Sequence, residues 1–125
     1  MADQYRDFTT ELMEDMDPEL LHLVKNTINS FVKWDLIRFF HDNPNAADSV
    51  KNLAAYAGRD PSVVESEIED LVQSGLLCKE LVNDTPVYAL SKDQDIRRLA
   101  EKFVKSCHER HFRVKVVYHI MRAMR

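Results

Sequence analysis

The sequence predicts a mainly α-helical fold, and three features carry that expectation. The 125 residues include only two glycines, Gly58 and Gly75, too few for the many tight turns of a sandwich or barrel. Asp17-Pro18 and Asp60-Pro61 each set a capping aspartate before a proline suited to the first helical position. Apolar residues then recur at spacings of three and four through most of the chain. At 45% hydrophobic and 30% charged, the composition is that of a globular chain rather than a disordered tail. The scarcity of glycine also excludes phosphate-cradling loops and the dinucleotide-binding fingerprint, which need two or three glycines close together.

Residues 1–16 read equally well as a short amphipathic helix, with Tyr5, Phe8, Leu12 and Met16 on one face, or as a frayed terminus. After Asp17-Pro18, the residues Leu20, Leu21, Val24 and Ile28 share one helical face, and Asn29-Ser30 either interrupts the helix or lies within it. Phe31, Trp34, Leu36, Ile37, Phe39 and Phe40 form the densest aromatic stretch and are assigned to the core. Asp42-Asn43-Pro44-Asn45 stops that helix.

Ser49 suits the cap of the next helix, which turns Val50, Leu53, Ala54 and Ala57 inward and ends at Gly58. Asp60-Pro61 opens a helix carrying Val64, Ile68, Leu71 and Val72, closed by Gly75. Leu76-Leu77-Cys78 and Leu81-Val82 read as one strand and Val87-Tyr88-Ala89-Leu90 as its return, joined by a turn at Asn83-Asp84-Thr85-Pro86. Ser91 with Gln94 reads as a capping box. It opens a long C-terminal helix bearing Ile96, Leu99, Phe103, Cys107, Val114, Val117, Met121 and Met124. The β-branched run around Val114, Val116 and Val117 leaves a break after Arg113 as the alternative.

A helix, a short helix, a glycine turn, a helix and a two-stranded hairpin make the winged helix–turn–helix order. Ala54, Gly58 and Val64 stand at its small-residue, glycine and apolar positions. From Leu53 to Leu77 the chain resembles winged-helix transcriptional regulators of the ArsR and MarR types, and the likeness extends over about residues 31–91. It implies three parts: an N-terminal helical extension over 1–30, a winged-helix domain over 31–91 with a two-stranded β wing, and a C-terminal dimerisation helix over 92–125. It also implies a non-enzymatic, DNA-binding transcriptional regulator acting as a homodimer. The helix from Pro61 would enter the major groove. The best available DNA contacts are then Lys51, Arg59, Ser62, Ser66, Lys79 and Arg97.

The charges on that helix oppose this reading. It carries Glu65, Glu67, Glu69 and Asp70, with no lysine or arginine between Arg59 and Lys79. DNA readers neutralise several phosphates, and four acids facing a polyanion are repelled. The second reading is therefore a winged-helix protein-interaction adaptor that does not read DNA, with this acidic helix as its partner surface. A solvated acidic face is the plainest account of the same residues.

The net charge of −4 conceals an asymmetry. Residues 1–91 hold 7 basic and 17 acidic residues, and residues 92–125 hold 10 basic and 4 acidic. The basic tail has three uses open to it: contacting phosphates, pairing with the acidic body of its own or a second chain, or showing solvent a basic face. Drawn as one helix from Lys92, it would run roughly 50 Å, against a body of about 30–35 Å. Val114, Val117, Met121 and Met124 would overhang, so a two-fold dimer through them is expected, with a helix that breaks and folds back as the alternative.

No cofactor, metal or catalytic residue is expected. His108 and His119 have the spacing of a metal site that some ArsR-type sensors carry on the terminal helix, but Ser106 and Arg122 stand where further ligands belong. Cys78 and Cys107 share no close-spaced pattern, which suits two thiols in a reducing cytoplasm better than a disulfide. The basic neighbours of Cys107 would favour its thiolate if it were exposed, which makes redox sensing a minor alternative. The N-terminus has neither the basic start nor the apolar stretch of a signal peptide, and no run is long enough to span a membrane.

Overall fold

The computed structural model describes residues 15–124. The amphipathic segment expected over residues 1–16 lies outside them apart from Asp15 and Met16, as does Arg125. The described chain is mainly helical with a small antiparallel sheet. Its elements are α1 (Pro18–Asn26), α2 (Phe31–Asp42), β1 (Ala47–Asp48), α3 (Val50–Ala57), α4 (Pro61–Gln73), β2 (Leu77–Val82), β3 (Thr85–Leu90), α5 (Gln94–Ser106) and α6 (Arg110–Ala123). Among the described residues, no helix is long and apolar enough to cross a membrane.

Polar side chains at the helix starts set most of these boundaries. Asp17 accepts from the backbone N–H groups of Glu19 and Leu20, and Asp60 accepts from that of Ser62. Ser30 caps α2 by accepting from the Lys33 N–H, so Asn29-Ser30 does interrupt the first two helices. Ser49 caps α3. Gly58 ends α3 in the left-handed conformation at φ +66°, which a side chain would strain.

Three expectations are corrected locally. The cap of α5 is Asp93, which accepts from Asp95 and Ile96, while Ser91 accepts from the Asp93 N–H. The hairpin turn is two residues, Asn83-Asp84, both left-handed, so Thr85 and Pro86 belong to β3. The sheet has three strands in the order β1-β3-β2, because Ala47-Asp48 pairs with Tyr88-Ala89. Pro86 is tolerated in the middle strand because β1 is too short to reach it.

The larger correction concerns the terminal helix, which is two helices. The N–H groups of His108 and Glu109 each reach back three residues, to the carbonyls of Lys105 and Ser106, and this tightens and ends α5. Arg113 then donates to the carbonyls of Cys107 (2.8 Å) and His108 (3.0 Å), satisfying acceptors left at that end. The break lies before Arg113, not after it. It also resets the helical phase. Phe112, Val116 and Ile120 are buried, while Val114, Met121 and Met124 remain exposed and Val117 half-buried. Phe112 meets Phe103 edge to face at a centroid distance of 5.8 Å, and α6 lies along α1 rather than overhanging the body. The overhang argument for a dimer lapses with the continuous helix.

One apolar core joins these elements, from Met16 to Ile120. Phe40, Leu36 and Ile37 of α2 sit at its centre with Leu53, Val64, Ile68, Leu71 and Phe103. Trp34 closes one side against Phe103. The basic tail is partly spent within the chain: Arg98 pairs with Glu19 at 2.8 Å, and Lys102 bridges Asp17 (3.1 Å) and Glu19 (3.0 Å). Those pairs fasten α5 to α1. They hold the carboxyls of Asp17 and Glu19 below their ordinary range, chiefly through the hydrogen bonds from Lys102 and Arg98 respectively.

Candidate nucleic-acid interface

The face to be tested is formed by α4 and the β2–β3 hairpin. Val64, Ile68 and Leu71 anchor α4 in the core, which turns Ser62, Val63, Glu65 and Ser66 outward. Beside it, the strand register places Lys79 opposite Tyr88 and Leu81 opposite Pro86, on the sheet face that also carries Leu77 and Leu90. Tyr88 ties sheet to helix: its hydroxyl donates to Glu69 Oε1 at 2.8 Å.

Three of the four α4 acids are engaged by the protein itself. Lys33, whose side chain is 6% exposed, reaches from α2 to Asp70 Oδ2 at 3.0 Å and to Glu67 Oε2 at 3.3 Å. Its ammonium also donates to Asn29 Oδ1 at 2.7 Å. Glu69 accepts from Tyr88 and pairs with Lys79 at 3.3 Å, and the Tyr88 hydrogen bond is the main cause that lowers its carboxyl below the usual range. Burial, aided by Glu69, pushes the Tyr88 phenol up to about 12. Glu65 alone of the four has no ion pair among the described residues, and its charge is felt at Tyr88. The α4 acids are therefore in large part a bracing device, not only the solvated face that their sequence suggests. Asp70, with its side chain 64% exposed, still shows charge to solvent.

The six residues named as DNA contacts fare unevenly. Arg59 turns back to Asp35 at 3.4 Å. Lys79 is held by Glu69 and lies 5.8 Å from the Tyr88 ring centroid. Arg97 lies away from this face in role: its Nε donates to the Ser91 carbonyl (2.8 Å) and its Nη2 to that of Pro44 (3.3 Å), which locks the loop before β1. Ser62 is exposed, with its hydroxyl on Asp60 at 2.6 Å, and this bond is the leading cause that keeps the Asp60 carboxyl low. Ser66 donates to the Val63 carbonyl. Lys51 is exposed on α3 with no charged partner among the described residues. The structure thus gathers Ser62, Ser66 and Lys79 around α4, and commits the two arginines elsewhere.

Sequence reasoning missed the apolar part of this surface. Leu81 is 68% exposed and Val82 51%, at the tip of the hairpin, and Val63 is 50% exposed on α4. The sequence offered a signal: Leu81-Val82 directly precede a polar two-residue turn, a place where buried residues are not expected.

The surroundings of Cys107 and of the His108–His119 pair weigh against the two minor alternatives they raise, while the thiols are as expected. Cys78 and Cys107 are free thiols. Burial pushes the Cys107 thiol up to about 11, so the basic residues around it do not make a reactive thiolate. The His108–His119 spacing presumed one continuous helix. His108 instead lies in the break, and His119 sits on α6 against the Val24 backbone, with Nε2 buried and without a hydrogen-bond partner among the described residues. Burial keeps the His119 ring below its ordinary pKa, with Lys25 and Arg122 adding in the same direction.

Comparisons with protein-family models, curated proteins and solved structures find no match for this chain.

Proposed function

We propose that this chain is a winged-helix module that works as a protein-interaction adaptor, with the face made by α4 and the β2–β3 hairpin docking a basic amphipathic segment of a partner. The order α2, α3, glycine turn, α4, hairpin supports the winged-helix reading, with β1 as the short third strand that pairs beside the wing. The observation that carries the function is the composition of the outward surface. Glu65 and Asp70 supply charge, Val63 and Leu81 supply exposed apolar area, and the nearest cation, Lys79, is already paired. A phosphate backbone needs unpaired cations there, and a basic partner with apolar anchors needs what is present.

The element order by itself favours a second reading, the DNA-binding regulator, in which Lys51, Ser62 and Ser66 are the contacts left available. Chemical-shift mapping separates the two. The titrant is a synthetic helical peptide of leucine and lysine, and duplex DNA is added in a parallel series. The adaptor reading expects the peptide to shift Val63, Glu65, Ser66 and Leu81, and expects Glu65→Lys to abolish those shifts. Peptide shifts scattered over the surface, with duplex shifts confined to α4, would overturn it.

A further inference from the structure

The break after α5 leaves α6 with two apolar stripes, and among the described residues only one of them is used. Phe112, Val116 and Ile120 face the core and hold the helix in place. Val114, Val117, Met121 and Met124 follow at spacings of three, four and three, the spacing of a seam that packs against another helix. Val114 is 46% exposed, Met121 59% and Met124 68%.

The charges around this seam are of one sign. From Arg110 to Ala123 the helix has Arg110, Arg113 and Arg122 exposed, Lys115 buried on the side that faces the body, and no aspartate or glutamate. Among the described residues, none of these four has a carboxylate within ion-pair distance. The contrast with α5 is direct, since Arg98, Lys102 and Lys105 are all paired there. At the N-terminal end of the seam, Arg110, Arg113, Val114, Val117 and Tyr118 line a hollow of about 320 Å³. Val114, Val117 and Tyr118 supply its apolar lining, and Arg110 and Arg113 its charged one.

We propose that the outer face of α6 is a second docking surface, and that its occupant is an acidic amphipathic helix. The partner's apolar residues would lie along the seam, and its carboxylates would meet Arg110 and the remaining N–H groups of Arg113, whose Nη1 is already held by the Cys107 and His108 carbonyls. Guanidinium groups suit this task because they bind carboxylates bidentately. A second copy of this chain is a poor occupant, because two such faces bring arginine against arginine, and neither helix has an acid from Arg110 to Ala123. The surface is independent of α4 and opposite to it in charge, so the module would join one basic and one acidic partner.

The test uses the full chain and two synthetic heptad peptides with leucine at the seam, one flanked by glutamate and the other by glutamine. Fluorescence anisotropy should show the glutamate peptide binding about tenfold more tightly than the glutamine peptide, with the difference lost at high salt. Val114→Ser with Met121→Ser should weaken it by about tenfold, a loss typical of seam anchors. Arg110→Gln, at an exposed position with no partner among the described residues, should reduce binding and flatten its salt dependence even if the seam variant folds poorly. Glu65→Lys on α4 should leave it unchanged, which keeps this result separate from the fate of the adaptor reading. Equal binding of the two peptides, or no binding of the glutamate peptide, overturns the proposal. So does a full-length dimer in light scattering that Met121→Glu dissociates, for then the occupant is a second copy.

Discussion

Replacing Lys33 with methionine tests whether α4 is braced from within. Methionine keeps the buried stem's volume and removes only the ammonium. Three bonds are lost. The Asn29 bond is short at 2.7 Å and partly buried, and a bond from a charged donor at the low end of its range is worth about 1.5 kcal/mol. The Glu67 pair, at 3.3 Å with its carboxylate only 22% exposed, adds about 1 kcal/mol. Asp70 is mostly in water, so screening leaves its pair below about 0.5 kcal/mol. Lys33→Met should therefore destabilise the chain by about 2.5 kcal/mol, read as a lower urea midpoint at unchanged slope. A double-mutant cycle with Glu67→Gln should return a coupling near 1 kcal/mol. If Lys33→Met costs less than about 0.5 kcal/mol, the ammonium behaves as a surface charge and the bracing argument fails.

Gly58→Ala places a side chain at φ +66° with open space around it, so the cost is backbone strain alone; thermal unfolding should report a loss of about 1 kcal/mol. The pairs between α1 and α5 set an acid limit. Asp17 and Glu19 have lowered folded-state pKa values, so their contribution is present above the ordinary carboxylate range and is lost as pH falls through the folded values. Circular dichroism melts should show the unfolding midpoint of the wild type dropping more steeply below about pH 4.5 than that of Lys102→Met. Cys107, with its thiol pushed up to about 11, should react with an alkylating reagent at neutral pH far more slowly than in the denatured chain, and equal rates would contradict its burial.

Most of the fold was legible because its signals are local. Asp17-Pro18, Ser49, Gly58 and Asp60-Pro61 act within one helical turn, and all four stand where the sequence placed them. The errors arose where distant contacts decide. β1 has two residues, too few for any alternation, and exists only because β3 lies beside it. The terminal helix carried two apolar stripes in competition, Val114–Val117–Met121–Met124 and Phe112–Val116–Ile120. The second won because Phe112 can reach Phe103 once the chain breaks. The acids of α4 were visible as charges, but their partner Lys33 lies 37 residues from Asp70, and no spacing rule connects them.

On the proposed reading, the face made by α4 and the hairpin serves a protein partner rather than DNA. Fluorescence anisotropy with a labelled duplex over a salt series, repeated with Ser66→Asp, tests it most directly. The account predicts only weak, sequence-independent binding, no tighter than about 10⁻⁶ M at physiological salt, and no change with Ser66→Asp. Tighter binding that falls steeply with salt and is abolished by Ser66→Asp would contradict it.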